Sequence, residues 1–581
     1  MKANNLKENI ISGVYIIKPT FQVIVDMNKL NKDLNGTEWT EIQLPEGVTE
    51  IEEDTLSGHY GLKRIIIPDG VVKIGDNAFL GCRELEEIHL PDNLKEIGEG
   101  AFYQCEKLKK INIPSCVTEI KSNTFIGCKE LKHIDLPDSL VRIGEGAFLA
   151  SGLEEIHFPD SLTVIERNAF DTCLSLKEIH IPANVTEIGD FAFVFCPDLS
   201  RITVSPANKV YDSRSDCNAI IETQTDTLMV GCGNTVIPDS VAKLGPGPFY
   251  GNSAPKEIII PDHITEIGEN AFDSCCGVES IKVSPTHKRY DSRNDCNAII
   301  ETETQTLILG CKNTTIPAGV NSIADLAFRG CTELTEIHIP EGVTEIGDYA
   351  FANCTALKNV HIPDNVTKIG ESAFESCSAL EEVHLPICLK EMGESAFRWC
   401  YALKEVFIPD GVVKVGEDAF YYCDALEKVH LPDSVTEIGV GAFSCCSALK
   451  KIHLPDRVAK LGSRAFDHCS ALEQIGVPLK VTEIESYTFR DCPALTEVFI
   501  PYGVTKIGSW AFEKCPALKV IYVPDTVTEI GDYAFSGCSA LEEVHIPGAA
   551  KIGDGVFKGC SEIKKFCLHG DDGRVVALSR P

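Results

Sequence analysis

From Pro340 to Ile362 the chain reads PEGVTEIGDYAFANCTALKNVHI, with apolar residues at positions 4, 7, 11, 12, 18, 21 and 23 counted from the proline. The same pattern restarts at Pro363, Pro386, Pro409, Pro432, Pro455, Pro478, Pro501, Pro524 and Pro547, each 23 residues after the last. A fixed period of this length predicts a solenoid. Seven apolar positions are too few for a rung to enclose a core alone, so neighbouring rungs must cover one another. Within a rung, Leu357-x-x-Val360-x-Ile362 ends in strand-like alternation, closed by a proline that cannot donate to a ladder. Val343-x-x-Ile346 predicts a second short extended piece, stopped by Gly347. Asp348 then stands where a helical turn would begin, an acid suited to its positive end, with Ala350 and Phe351 facing inward.

The register extends back through Pro45, Pro68, Pro91, Pro114, Pro137, Pro159 and Pro182, with one 22-residue step at Pro137 that reads as a loop deletion. It breaks twice in the same way. NKVYDSRSDCNAIIETQTDTLMVGCGNTVIP follows Pro206 and HKRYDSRNDCNAIIETETQTLILGCKNTTIP follows Pro285, the two lying 79 residues apart. In each, two β-rich runs flank a polar centre, which predicts a hairpin. The domain reading is an N-terminal cap over 1–44, a solenoid over 45–568 with inserts at about 207–233 and 286–312, and a tail over 569–581. In the cap, Val14–Ile17 and Phe21–Val25 read as two strands turning near Lys18-Pro19. In the tail, Val575–Leu578 is a candidate to close the last rung.

Composition changes the picture in three places. Twenty-six cysteines would suggest a disulfide framework, yet seventeen occupy position 15 or its equivalent. Stacked rungs would set these side by side at about 5 Å with parallel Cβ vectors. A disulfide needs Cβ atoms that converge to about 3.5–4.5 Å, so a ladder of buried thiols is expected; Cys217/Cys232 and Cys296/Cys311 are the only pairs placed to face across a hairpin. The formal net charge of −33 disfavours nucleic acid and anionic membrane surfaces, because binding a phosphate backbone depends on cationic neutralisation. The acids fall mostly at positions 2 and 9 and read as a solvated flank. No run approaches the ~18 apolar residues of a membrane span, so no membrane insertion is expected. The first thirty residues show no signal-peptide core, which fits a cytoplasmic protein or one whose leader has been removed.

Candidate chemistry lies at position 22, which points outward between two buried strand residues. His338, His361, His384, Phe407, His430, His453, Phe499, Tyr522 and His545 occupy it in the second half of the chain. Such a stripe of rings, expected on the concave face, suits contact with a partner, since aromatic rings supply much interface energy. Tyr211, Arg214, Tyr290 and Arg293 of the two YDSR segments are the other candidate binding residues. Metal is not expected, because parallel imidazoles about 5 Å apart converge poorly on an ion that needs three or four ligands at about 2 Å. No cofactor is implied either. No H-E-x-x-H, C-x-x-C, G-x-S-x-G or phosphate loop is present, and residues bound to a repeat build a unique catalytic triad poorly. Position 19 alternates Lys358, Glu381, Lys404, Glu427, Lys450, Glu473, which favours one stacking register and argues against a single-sign ligand groove there.

The repeat P-x-x-V-x-x-I-G-x-x-A-F-x-x-C-x-x-L-x-x-I-x-I resembles the BspA-like leucine-rich repeat of bacteria and protists, over about Pro45 to Leu568. The resemblance implies a leucine-rich repeat solenoid, mostly β with short helical turns, a parallel sheet on the concave face and two hairpin inserts of a kind that recurs in the family. It further implies a surface or secreted protein that adheres to a protein or glycan partner without enzymatic activity. The alternative is a cytoplasmic recognition subunit whose effector resides on another chain. Oligomeric state is not legible in the sequence.

Overall fold

The computed structural model describes residues 40–252, 255–275 and 277–569, together with the backbone of the strands Val14–Ile17, Gln22–Val25 and Val575–Leu578. Two compact units divide the chain, Met1–Gly277 and Val278–Pro581. Each is a parallel β-solenoid of rungs about 23 residues long with an apolar core of its own.

In the second unit the strands Glu336–His338, Asn359–His361, Glu382–His384, Glu405–Phe407 and Lys428–His430 form one parallel sheet. Ile337 lies opposite Val360, and Val360 opposite Val383, so residues 23 apart are neighbours. In every strand of this sheet the central residue is buried and the last exposed, with the first exposed in all but Glu405–Phe407, where Glu405 is half-buried, which matches the two-residue period of an extended chain. The second extended piece forms as well. Glu345–Ile346, Lys368–Ile369 and Glu391–Met392 pair in parallel as a separate sheet.

The return segment differs from the helical turn that the sequence predicts. No α-helix forms among the described residues; the only helical elements are the three-residue 3-10 turns Arg214–Asp216 and Arg293–Asp295. The reason is where the backbone donors go. The N–H groups of Tyr349, Phe351 and Asn353 donate to the carbonyls of Glu371, Ala373 and Glu375 in the next rung, at 2.8, 2.7 and 2.7 Å. Between them, Ala352 and Cys354 close three-residue turns onto Tyr349 and Phe351. Tyr349 and Asn353 accordingly take φ of 55° and 60°, outside any right-handed helix. The position 9 acid also acts otherwise than expected: Asp325 Oδ1 accepts the N–H of Asp348 at 2.7 Å, and Asp348 Oδ1 that of Glu371 at 2.8 Å. It satisfies a donor of the following rung.

Inside the returns the phenylalanines stack. Phe328, Phe351, Phe374 and Phe397 are fully buried, with successive ring centroids 4.9, 5.1 and 5.3 Å apart and nearly parallel planes. The position 15 thiols stay with this stack. Sγ of Cys354, Cys377 and Cys400 each donates at 3.2 Å to the carbonyl of the phenylalanine 26 residues earlier. Every described cysteine, the Cys217/Cys232 and Cys296/Cys311 pairs included, is a free thiol.

Both inserts form hairpins, Ile220–Glu222 with Thr227–Val230 and Ala298–Glu301 with Thr306–Gly310. A strand unforeseen in the sequence lies outside each: Tyr211–Asp212 and Tyr290–Asp291 pair antiparallel with the first hairpin strand. The second hairpin strand then runs parallel to Lys243–Leu244 or Ser322–Ile323, joining the short-strand sheet. Gly231 and Gly310 replace the usual return there, and a Cβ on either would collide with the ring of Phe249 or Phe328.

At one end, Val14–Ile17 and Gln22–Val25 pair antiparallel, and Val23 sits beside Ile42 of the first described rung; the turn expected near Lys18-Pro19 lies outside the described residues. At the other, Val575–Leu578 pairs antiparallel with Lys565–His569.

Candidate binding surface

The long-strand face of the second unit carries the ring column. His338, His361, His384, His430 and His453 are exposed, and Phe407, Phe499 and Tyr522 are each 58% exposed. Alternation in the strand compels this, because position 22 stands between inward residues such as Val406 and Ile408. Neighbouring rings associate in pairs. Phe407 and His430 stack with centroids 4.1 Å apart, Tyr522 and His545 at 4.2 Å, and His361 meets His384 tilted at 5.9 Å.

Around the first of these pairs lies an open groove of about 580 Å³, lined by Glu381, Glu382, His384, Lys404, Phe407 and Lys428 among others. Its polar groups are fixed by one another: Lys404 Nζ lies 2.6 Å from Glu381, and His430 Nε2 2.9 Å from Glu405. The hydrogen bond from Lys404 lowers the pKa of Glu381, and the same bond raises that of Lys404. The groove thus offers an exposed phenyl and imidazole on a rim of mixed sign. A smaller groove of about 390 Å³ occupies the strand face of the first unit, lined by residues including Arg64, Ile66 and His89.

Three groups of candidate residues depart from the sequence reading. His545 is only 8% exposed, because the strand Lys565–His569 continues the sheet beyond it. Its ring is held by Glu543 at 2.6 Å and by His569 at 3.3 Å. Tyr211 and Tyr290 are buried, 4% and 3% exposed; the Tyr211 hydroxyl accepts the N–H of Ile188 at 2.9 Å. Arg214 and Arg293 reach the surface, but their guanidiniums are engaged within the insert. Arg214 donates to Asp212 at 2.9 Å and across the hairpin turn to Asp226 at 2.6 Å, and Arg293 donates to Asp291 and, at 2.7 Å, to Gln305. They tie the insert together rather than present free donors.

One aromatic row escaped the sequence reading. On the return side, Tyr487, Trp510 and Tyr533 stack with centroids 5.1 and 5.8 Å apart, and the guanidinium of Arg490 lies 4.9 Å from the Tyr487 ring centroid. All three are half-buried and sit at φ of 62°, 56° and 56°, a region uncommon for bulky residues. The signal was their spacing of 23, hidden at a position read as the start of a helical turn. Among the described residues, no group of three or more His, Cys, Asp and Glu side chains is placed to hold a metal ion, and no helix is long and apolar enough to cross a membrane.

A family model described as the BspA type leucine-rich repeat region, six copies, matches residues 32–151, 95–221, 231–308, 306–426, 390–519 and 506–571. The chain belongs to the BspA-type leucine-rich repeat family. No curated protein matches the sequence. Among solved structures, it is similar to a leucine-rich repeat protein of Bacteroides ovatus, 24% identical over 94% of this chain and 98% of that one, with a TM-score of 0.29. A leucine-rich cell surface protein of Faecalibacterium prausnitzii is 25% identical over 85% and 95%, TM-score 0.32. The pneumococcal vaccine antigen PcpA is 18% identical over 78% and 91%, TM-score 0.32. As a BspA-type repeat protein the chain is of a kind built for recognition, and its strand faces are open to solvent at alternate positions.

Proposed function

We propose that this chain is a non-enzymatic recognition protein, adhesin-like, that holds a protein partner against the strand face of the second unit. The observation that supports the reading is the column of outward rings from His338 to Tyr522, with the groove at His384 and Phe407 part-way along it. Large exposed aromatic residues cost solvation and do nothing for the core, while rings of this kind dominate the energy of protein interfaces. The mixed-sign rim of Glu381, Lys404, Glu405 and Lys428 gives orientation to such a contact. The inserts play no part in this reading, since their tyrosines are inside and their arginines are engaged.

The test is a partner recovered on the immobilised chain, identified, and measured against wild type and a variant with His361, His384, Phe407, His430 and His453 all changed to serine. The variant is expected to keep its circular dichroism spectrum and bind at least about tenfold more weakly, the effect of losing one or two interface anchors. Equal affinity of the two proteins removes the strand face from consideration.

A further inference from the structure

From His338 to His545 every rung of the second unit carries a ring at position 22 except one, where Gly476 stands. Neither of the usual reasons for a glycine applies there. Gly476 lies in the ordinary strand Gln474–Gly476, outside the left-handed region, and a Cβ built on it would find nothing within 4 Å. A glycine inside a strand weakens it, and often marks a place where a ligand approaches closely.

Both flanking rings stand outside the ring pairs of the column, as does His338 at its first rung. His361 has His384, Phe407 has His430 and Tyr522 has His545. Among the described residues, His453 has neither a ring neighbour nor a side-chain hydrogen bond, and Phe499 has no ring neighbour. Gly476 pairs in register with Phe499, and Lys451, two residues before His453, bridges to Gln474. His453 and Phe499 are therefore the two walls of a gap one rung wide.

Its width selects the occupant. Strands about 4.8 Å apart place the two rings about 9.6 Å from each other, so a ring inserted midway would lie about 4.8 Å from each. The column already stacks a phenyl or a phenol on an imidazole at 4.1 and 4.2 Å. A second inserted ring has no room. We propose that the notch at Gly476, between His453 and Phe499, receives one planar aromatic side chain of a partner protein. This rests on the strand-face reading above and names the chemistry of its ligand.

The test is ligand-observed saturation-transfer NMR on the full chain, with N-acetyl-L-tyrosinamide as the aromatic probe and methyl β-glucopyranoside as the sugar probe. The tyrosine ring protons are expected to receive saturation from wild type. That signal falls about fivefold in Gly476→Phe, which fills the notch, and in Phe499→Ser, which removes a wall, as expected from one stacking contact. Gly476→Phe is expected to melt no lower than wild type, and Phe499→Ser alters an exposed side chain, so a loss in either is not a loss of fold. Undiminished saturation in both variants, or saturation of the glucoside in preference to the tyrosinamide, overturns the proposal. Should Gly476→Phe keep full affinity for a partner that the five-serine variant no longer binds, the notch fails and the strand face stands.

Discussion

The residue that carries most of the packing is the phenylalanine at position 12. Phe420 is fully buried, with Phe397 and Phe443 stacked on its two faces at 5.6 and 5.5 Å. Neither neighbour can move into a void at Phe420, because each is held in turn by the next ring and by the cross-rung hydrogen bonds of its own backbone, such as Phe397 N–H to Ala419. Phe420→Ala is therefore expected to cost about 3–5 kcal/mol, the upper range for large-to-small changes at sites that do not collapse. Chemical denaturation read at the transition of the second unit measures it; a loss below about 1 kcal/mol would mean that the rungs close around the gap. The exposed rings at position 22 form the opposite case at the same scale: they are linked to the core only through their backbone, so substituting them is expected to change binding and leave stability nearly untouched.

At the scale of the element, the inserts show how local chemistry displaces a repeat. Arg214 links the strand at Asp212 to the hairpin turn at Asp226, and the hydrogen bond it donates to Asp212 raises its pKa. Arg214→Ala is expected to destabilise the first unit by about 1.5–3 kcal/mol, the range for hydrogen bonds between charged groups. The low end is favoured because 24% of the side chain is exposed. A variant that melts with wild type but loses partner binding would return the arginine to the binding surface. The period made the strands, the buried positions and the thiol ladder legible, since it states which residues are equivalent and equivalence fixes who lies beside whom. It did not state where backbone donors go. Tyr349 and Phe351 look like a helical turn in sequence because their spacing suits one, yet their N–H groups serve the next rung. Tyr211 looked like a surface residue because YDSR is polar around it, and only the third antiparallel strand turns its ring inward. Gly476 was hidden for another reason: a column of rings draws attention to what it contains, whereas the notch is a place where one is missing.

At the scale of the whole molecule, repetition turns a small proton effect into a large one. Burial pushes the thiol of Cys82 up from 9.0 to about 12, and those of Cys377, Cys400, Cys423, Cys446, Cys469 and Cys492 well above 9.0. The sign follows from linkage: the folded state keeps these protons where the unfolded chain releases them, so the stabilisation is complete below about 9 and is lost as pH rises toward the folded values. Each thiol removes up to about 1.4 kcal/mol per pH unit in that window, and the six in the second unit together remove up to about 8 kcal/mol per unit. Total stabilities of folded domains are about 5–15 kcal/mol. Alkaline unfolding is therefore expected to begin steeply within one or two units above pH 9, followed by circular dichroism between pH 7 and 11. Exposed lysines such as Lys404 and Lys460, raised by their glutamates, contribute with the same sign, but salt screens those pairs and leaves the buried thiols unaffected. A transition that keeps its midpoint and steepness at 1 M sodium chloride assigns the effect to the ladder. Stability that stays flat from pH 8.5 to 10.5 would show that the thiols do not control it.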